Sequence, residues 1–254
     1  MDHSAAAEKA YSFPATRWSL VLLSGKSQAP GSKAALAELC KLYWYPLYAF
    51  VRRRGYGPDD AEDLTQGFFL HMLDHNALAQ VDPLKGKFPS FLLASIRNYI
   101  SKDADRVRCL KRGGNIKFVS LDAKSAEKLY SLEPANSLTA ETIFDARWAM
   151  TLLQEAMTRL GNQYAEQGKA ATLQVLKPFL DPINAHILPS YEQLANQLQL
   201  TLGAVKTLIH RLRKQYTALL REEVARTVRD PAEVDGEIHA LCDALIASEG
   251  RLGE

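Results

Sequence analysis

The sequence predicts an all-α protein of two small helical domains joined by a linker. Three observations carry that expectation. Apolar residues recur at helical spacing from about Leu36 to about Arg112 and again from Phe144 onward. The interruptions fall at glycine and proline, as at Gly55-Tyr-Gly-Pro58 and Asp82-Pro83. No strand-dominated segment, internal repeat or low-complexity tract stands between them.

A chain of 254 residues with 47% hydrophobic content can bury one or two ordinary cores. Its formal net charge is only +2, so any affinity for nucleic acid must come from how charges are sorted along the chain. Cys40, Cys109 and Cys242 show no C-x-x-C spacing and no nearby histidine partner, and are expected to be reduced thiols. The opening MDHSAAAEKAYSF lacks a basic segment followed by an apolar one, and no later stretch reaches the roughly 18 apolar residues of a membrane span. A cytoplasmic protein without membrane insertion is expected.

The first domain is expected at 36–114, after an N-terminal extension over 1–35. Its last helix should start near Ser90 and run into a basic tail that stops at Gly113-Gly114, where glycine tolerates left-handed dihedrals. Residues 115–140, with weak periodicity and an isolated apolar stretch Lys117-Phe-Val-Ser-Leu121, read as a linker that partly packs on its neighbours. The second domain is expected at 141–229. It opens with Phe144, Trp148, Leu152, Ala156 and Leu160, the stripe of a helix buried on one face. Another helix is expected over Lys169–Leu180, among the prolines 178, 182 and 189. A C-terminal extension over 230–254 carries a short helix from Pro231 to Ala247.

Within the second domain, residues 190–221 read as a helix-turn-helix. Ser190 can cap a helix through Leu198, and Gln193 completes a capping-box pattern. Leu194, Ala195 and Leu198 face inward, Gln199-Leu200 makes the turn, and Thr201 can cap the second helix. On that helix Val205, Leu208, Ile209 and Leu212 fall on one side, and Lys206, Thr207, His210, Arg211 and Lys214 on the other, with no acid among them. Such a face suits a DNA major groove, whose base edges and phosphates accept hydrogen bonds from cations. A solvated amphipathic helix is the bland alternative, and it leaves the two caps and the short turn as coincidences.

The first domain carries two charged helices of opposite sign. In the segment from Pro58 to Leu73, Ala61, Leu64, Phe68 and Met72 should be core, leaving Asp60, Glu62, Asp63 and Gln66 to solvent. Proline and early carboxylates are good helix-start chemistry, and they equally make a protein-docking face. After Lys87-Phe-Pro-Ser90, Phe91 and Tyr99 alternate with Arg97, Asn98, Lys102, Arg106 and Arg108. Aromatic rings can stack on unpaired bases while cations track phosphates. Each ring taken alone is as well explained as a core anchor.

Together these segments resemble the extracytoplasmic-function sigma factors of bacterial RNA polymerase. Asp60-Ala-Glu-Asp-Leu-Thr-Gln66 followed by Phe-Phe-Leu is similar to the region-two helix that docks on the polymerase clamp. Phe91-Leu through Ile96-Arg-Asn98 resembles the segment that melts and reads the minus-ten element. Tyr191-Glu-Gln-Leu-Ala with Gly203-Ala-Val-Lys206 and His210-Arg-Leu-Arg213 resembles the region-four reader of the minus-thirty-five element. The resemblance implies polymerase contacts at Asp60, Glu62, Asp63 and Gln66. It implies minus-ten contacts at Arg97, Asn98, Lys102 and Arg106, and minus-thirty-five contacts at Lys206, Thr207, His210, Arg211, Arg213 and Lys214. It further implies core RNA polymerase and promoter DNA as partners, with an anti-sigma protein or a kinase as regulator. Phe91 stands where the family often has tryptophan, and the span from Leu153 to Pro189 is longer than is usual there.

The alternative reading is a helix-turn-helix transcription regulator that acts without polymerase, binding a palindrome as a dimer. An enzyme is not expected: His3, His71, His75, His186, His210 and His239 are scattered, and neither a Ser/His/Asp arrangement nor a Gly-rich phosphate loop is present. No catalytic residue, metal site or cofactor is therefore expected.

Overall fold

The computed structural model describes residues 32–74, 78, 87–107, 123–131, 138–180, 188–228 and 230–248, and their regular structure is helical throughout. The expected all-α class is what is observed. The expected N-terminal segment up to residue 31, the break at Asp82-Pro83, the basic tail from Arg108, the Gly113-Gly114 stop and the stretch Lys117–Leu121 lie outside the described residues.

Helix α1 (Ser32–Arg53) buries Leu39, Tyr43, Leu47, Phe50 and Val51 on one stripe and leaves Lys41 exposed. Arg52 and Arg53 occupy its last turn, where cations complement the negative end of the helix dipole. Gly55, at φ +95°, closes the turn with an N–H bond to the Arg52 carbonyl. Helix α2 (Pro58–Asp74) then begins at the expected proline. Ala61, Phe68 and Met72 are buried as predicted, with Leu64 half-buried. Thr65 is buried as well, its hydroxyl donating to the Ala61 carbonyl at 2.7 Å.

Helix α3 (Phe88–Val107) turns Phe88, Leu92, Ile96 and Ile100 inward at helical spacing. Helix α4 (Ala123–Tyr130) lies in the expected linker and is fastened to α1. The Nε and Nη2 of Arg52 each donate to the Glu127 carboxylate at 2.8 Å, Tyr48 donates to the same group at 2.5 Å, and Arg52 lies over the Tyr130 ring.

Helix α5 (Ala140–Glu166) is the spine. Thr139 caps it by accepting from the Thr142 amide, and its 27 residues span about 40 Å at the helical rise of about 1.5 Å per residue. Two hydrophobic clusters share it. Phe144, Trp148 and Leu152 join α1, α2 and α3, with the Trp148 ring stacked on Tyr43 at 4.4 Å. Ala156, Leu160 and Tyr164 join a second cluster with α6 (Ala170–Leu176), the short 3-10 turn Lys177–Leu180, α7 (Tyr191–Leu198) and α8 (Leu202–Ala225).

Helix α8 is shared in the same way. Val205, Ile209, Leu212 and Leu219 belong to the second cluster, whereas Val224 and the following Val228 belong to the first. Arg159 of α5 fixes the crossing by bonding Glu222 at 2.7 Å and the buried Glu223 at 2.8 Å, and Arg226 adds a second cation to Glu223. The C-terminal segment is tied back onto this frame. After a 3-10 turn (Pro231–Glu233), helix α9 (Val234–Ala247) buries Val234 in the first cluster, pairs Glu237 with Lys87, and pairs Asp235 with Arg221.

Candidate nucleic-acid interface

Helix α7 starts as its sequence dictates. The Ser190 hydroxyl accepts from the Gln193 amide and the Gln193 side chain accepts from the Ser190 amide, so both halves of the capping box are made. Leu194 and Ala195 are buried and Leu198 is half-buried. The helix ends at Gln199, held in the left-handed region at φ 54°. The Leu200 amide reaches back to the Ala195 carbonyl and the Gln199 amide to Asn196, which is the Schellman closure. Thr201 follows at once and caps α8 by accepting from the Ala204 amide at 3.2 Å.

Helix α8 therefore leaves the turn with fixed orientation, and three side chains seat it on its neighbours. The Tyr216 hydroxyl donates to the Leu153 carbonyl at 3.2 Å, Gln215 donates to the Gln163 side chain at 2.7 Å, and the Arg213 Nε donates to the Phe179 carbonyl at 3.1 Å. Val205, Ile209 and Leu212 are buried beneath. Lys206, Thr207, His210, Arg211 and Lys214 all stand exposed on the opposite face, and the first acid along α8 is Glu222. Arg213 is exposed too, yet its guanidinium is turned to the Phe179 carbonyl, on the flank of that face. The Thr207 hydroxyl donates to the Gly203 carbonyl at 2.9 Å. Glu192 of α7 feels the charge of Lys206. A hydrogen bond from its own backbone amide, with the Ser190 hydroxyl and the Lys206 charge, holds the Glu192 carboxyl below its ordinary value.

The expected minus-ten residues lie on α3. Arg97 and Asn98 are exposed, while the side chains of Lys102 and Arg106 lie outside the described residues. Arg97 is not a free cation: it pairs with Glu141 in the first turn of α5, a contact the sequence did not suggest. The two aromatics settle on the side of structure. Tyr99 packs edge-on against Phe68 at 5.9 Å and beside His71, and Phe91 stacks on Phe88 at 6.0 Å. Tyr99 also covers Gly67 so closely that a Cβ there would collide with its hydroxyl, so the glycine leaves room for the Tyr99 side chain.

On α2, Asp60 and Asp63 are exposed, and Glu62 and Gln66 are half-exposed with Gln66 donating to Glu62 at 2.8 Å. These four residues form a carboxylate-rich face that none of the described ion pairs neutralises. Among the described residues no group of His, Cys, Asp and Glu is arranged to hold a metal ion, and no helix is long and apolar enough to cross a membrane. Burial pushes the Cys40 thiol up to about 11, opposite to the depressed values that activate nucleophilic cysteines.

No family model, curated protein or solved structure matches this chain. The functional reading rests on the chain's own residues. Sequence reasoning missed the pairing of Arg97 with Glu141 and the duty of Arg213 toward Phe179, because neither partner lies near in sequence. It also passed over Leu202 at the start of α8.

Proposed function

We propose that this protein is a sigma factor of the extracytoplasmic-function type, which directs core RNA polymerase to promoters and is not itself an enzyme. The observation that carries the reading is the capped helix-turn-helix whose second helix presents Lys206, Thr207, His210, Arg211 and Lys214 without an intervening acid. An exposed carboxylate face on α2 of the same chain supports it, because carboxylates turned to solvent repel DNA phosphates and suit a protein partner. In this reading α2 docks on polymerase, Asn98 with neighbouring α3 residues takes the downstream promoter element, and α8 takes the upstream one. Phosphate contacts give salt-dependent affinity, and each good base contact gives about 1–3 kcal/mol of discrimination.

The test is initiation itself. Purified chain is added to bacterial core polymerase on a library of genomic fragments, and transcripts are mapped against core polymerase alone. Discrete new start sites sharing an upstream element are expected. Transcription indistinguishable from that of core polymerase would overturn the proposal, and tight sequence-specific binding without polymerase would favour the free-standing regulator.

A further inference from the structure

The DNA-facing side of α8 begins with a residue that its cations do not explain. Leu202, the first residue of the helix, is 43% exposed, whereas Val205, one turn on, is completely buried. Leu202 lies three residues before the buried Val205 and four before Lys206, so it stands where the apolar stripe meets the basic face. Leu200 is comparably exposed, but it follows the left-handed Gln199 at the position where a Schellman closure ordinarily packs an apolar side chain back on its helix. Leu202 has no such local duty.

The next residue is equally unexplained by the fold. Gly203 sits in the first turn of a 24-residue helix, where glycine is a poorer helix former than alanine, yet a Cβ there would meet nothing within 4 Å. Nothing inside the protein requires the missing side chain. Gly203 lies three and four residues before Lys206 and Thr207, at the head of the basic face, so whatever approaches that face also meets the bare backbone at Gly203.

We propose that Leu202 reads the 5-methyl group of a thymine at one A·T pair of the upstream element, with Gly203 allowing the duplex to approach the helix closely enough for that contact. The occupant is duplex DNA because Lys206, His210, Arg211 and Lys214 continue the exposed face of α8 beyond Gly203 with donors and positive charge, and thymine's methyl is the apolar group that the major groove offers. This inference rests on the reading of α8 as a DNA reader.

The experiment selects duplexes from a random pool with the full-length chain, in the presence and absence of core polymerase, and then replaces each thymine of the enriched element by uracil, which lacks only the methyl. One uracil should weaken wild-type binding about fourfold, the worth of one buried methyl. Leu202→Ala, which removes an exposed side chain, should bind thymine and uracil duplexes equally while keeping native circular dichroism. Gly203→Ala should bind the element more weakly although its helix is stabilised. Uracil tolerated at every position, equal sensitivity in Leu202→Ala, or undiminished binding by Gly203→Ala would overturn the proposal and leave the DNA-reader assignment standing. No enriched sequence in either pool would overturn both.

Discussion

Arg211 and Arg213 stand two residues apart on α8 and do different work. Arg211 is exposed on the basic face with none of the described hydrogen bonds or ion pairs engaging it, whereas Arg213 donates to the Phe179 carbonyl and anchors the 3-10 turn beneath α8. Arg211→Ala is expected to leave the thermal midpoint unchanged and to lower discrimination of the upstream element by about 1–3 kcal/mol, read from competition binding. Arg213→Ala is expected to cost about 1 kcal/mol of stability in a denaturant titration, the worth of one partly buried hydrogen bond. The sequence shows which side of a helix is buried, because apolar spacing records that. It does not show which exposed cation is already held, since Phe179 and Glu141 lie far away along the chain.

Glu127 gives a pH-dependent counterpart. Its hydrogen bonds from Arg52 hold its carboxyl below the usual range, aided by Tyr48 and opposed by burial. A carboxyl whose folded value is depressed stabilises above its unfolded value, and that contribution disappears as pH falls through the folded one. The docking of α4 on α1 should therefore weaken in acid, below about pH 4. Hydrogen exchange of the α4 amides should report it, and Glu127→Gln should abolish the dependence while exposing α4 at neutral pH.

At the scale of elements, caps and turns were the most legible features. Ser190, Gln193 and Thr201 sit where local chemistry alone demands them, so the boundaries of α7 and α8 follow from the sequence. Ser190→Ala should cost about 1 kcal/mol. Gln199→Gly should stabilise by about 0.5–1 kcal/mol, since it relieves a left-handed non-glycine residue, and a fall in midpoint would contradict the turn as described. Two elements were less readable. Helix α1 runs through Pro46, a residue that ordinarily ends a helix, because tertiary packing of its buried stripe outweighs the local loss. Helix α4 has only eight residues, too little periodicity to announce itself; among its described side chains Ala126 is buried, and Glu127 ties it to α1.

For the whole molecule, the expected linear order of two domains and a linker understates how the helices are shared. Phe144 and Trp148 open the expected second domain but pack with α1, and Val224 and Val228 near its end do the same. Periodicity identified these residues as buried without saying in which core, since the partner face is not encoded in the spacing. Because α5 and α8 run through both clusters, unfolding should be a single transition, with tryptophan fluorescence and far-ultraviolet dichroism coincident. Glu223→Ala should be among the most damaging substitutions, at about 3 kcal/mol or more, because it leaves Arg159 and Arg226 facing a buried site without their shared carboxylate.

In the proposed function this frame offers a carboxylate face to polymerase and a basic face to DNA. The most direct measurement is co-elution of the purified chain with bacterial core RNA polymerase on a sizing column, beside the double substitution Asp60→Lys/Asp63→Lys. A stoichiometric complex with the native chain and none with the double variant, whose circular dichroism stays native, is the expected result. A native, uninhibited chain that elutes apart from core polymerase, or a double variant that still co-elutes, would contradict it.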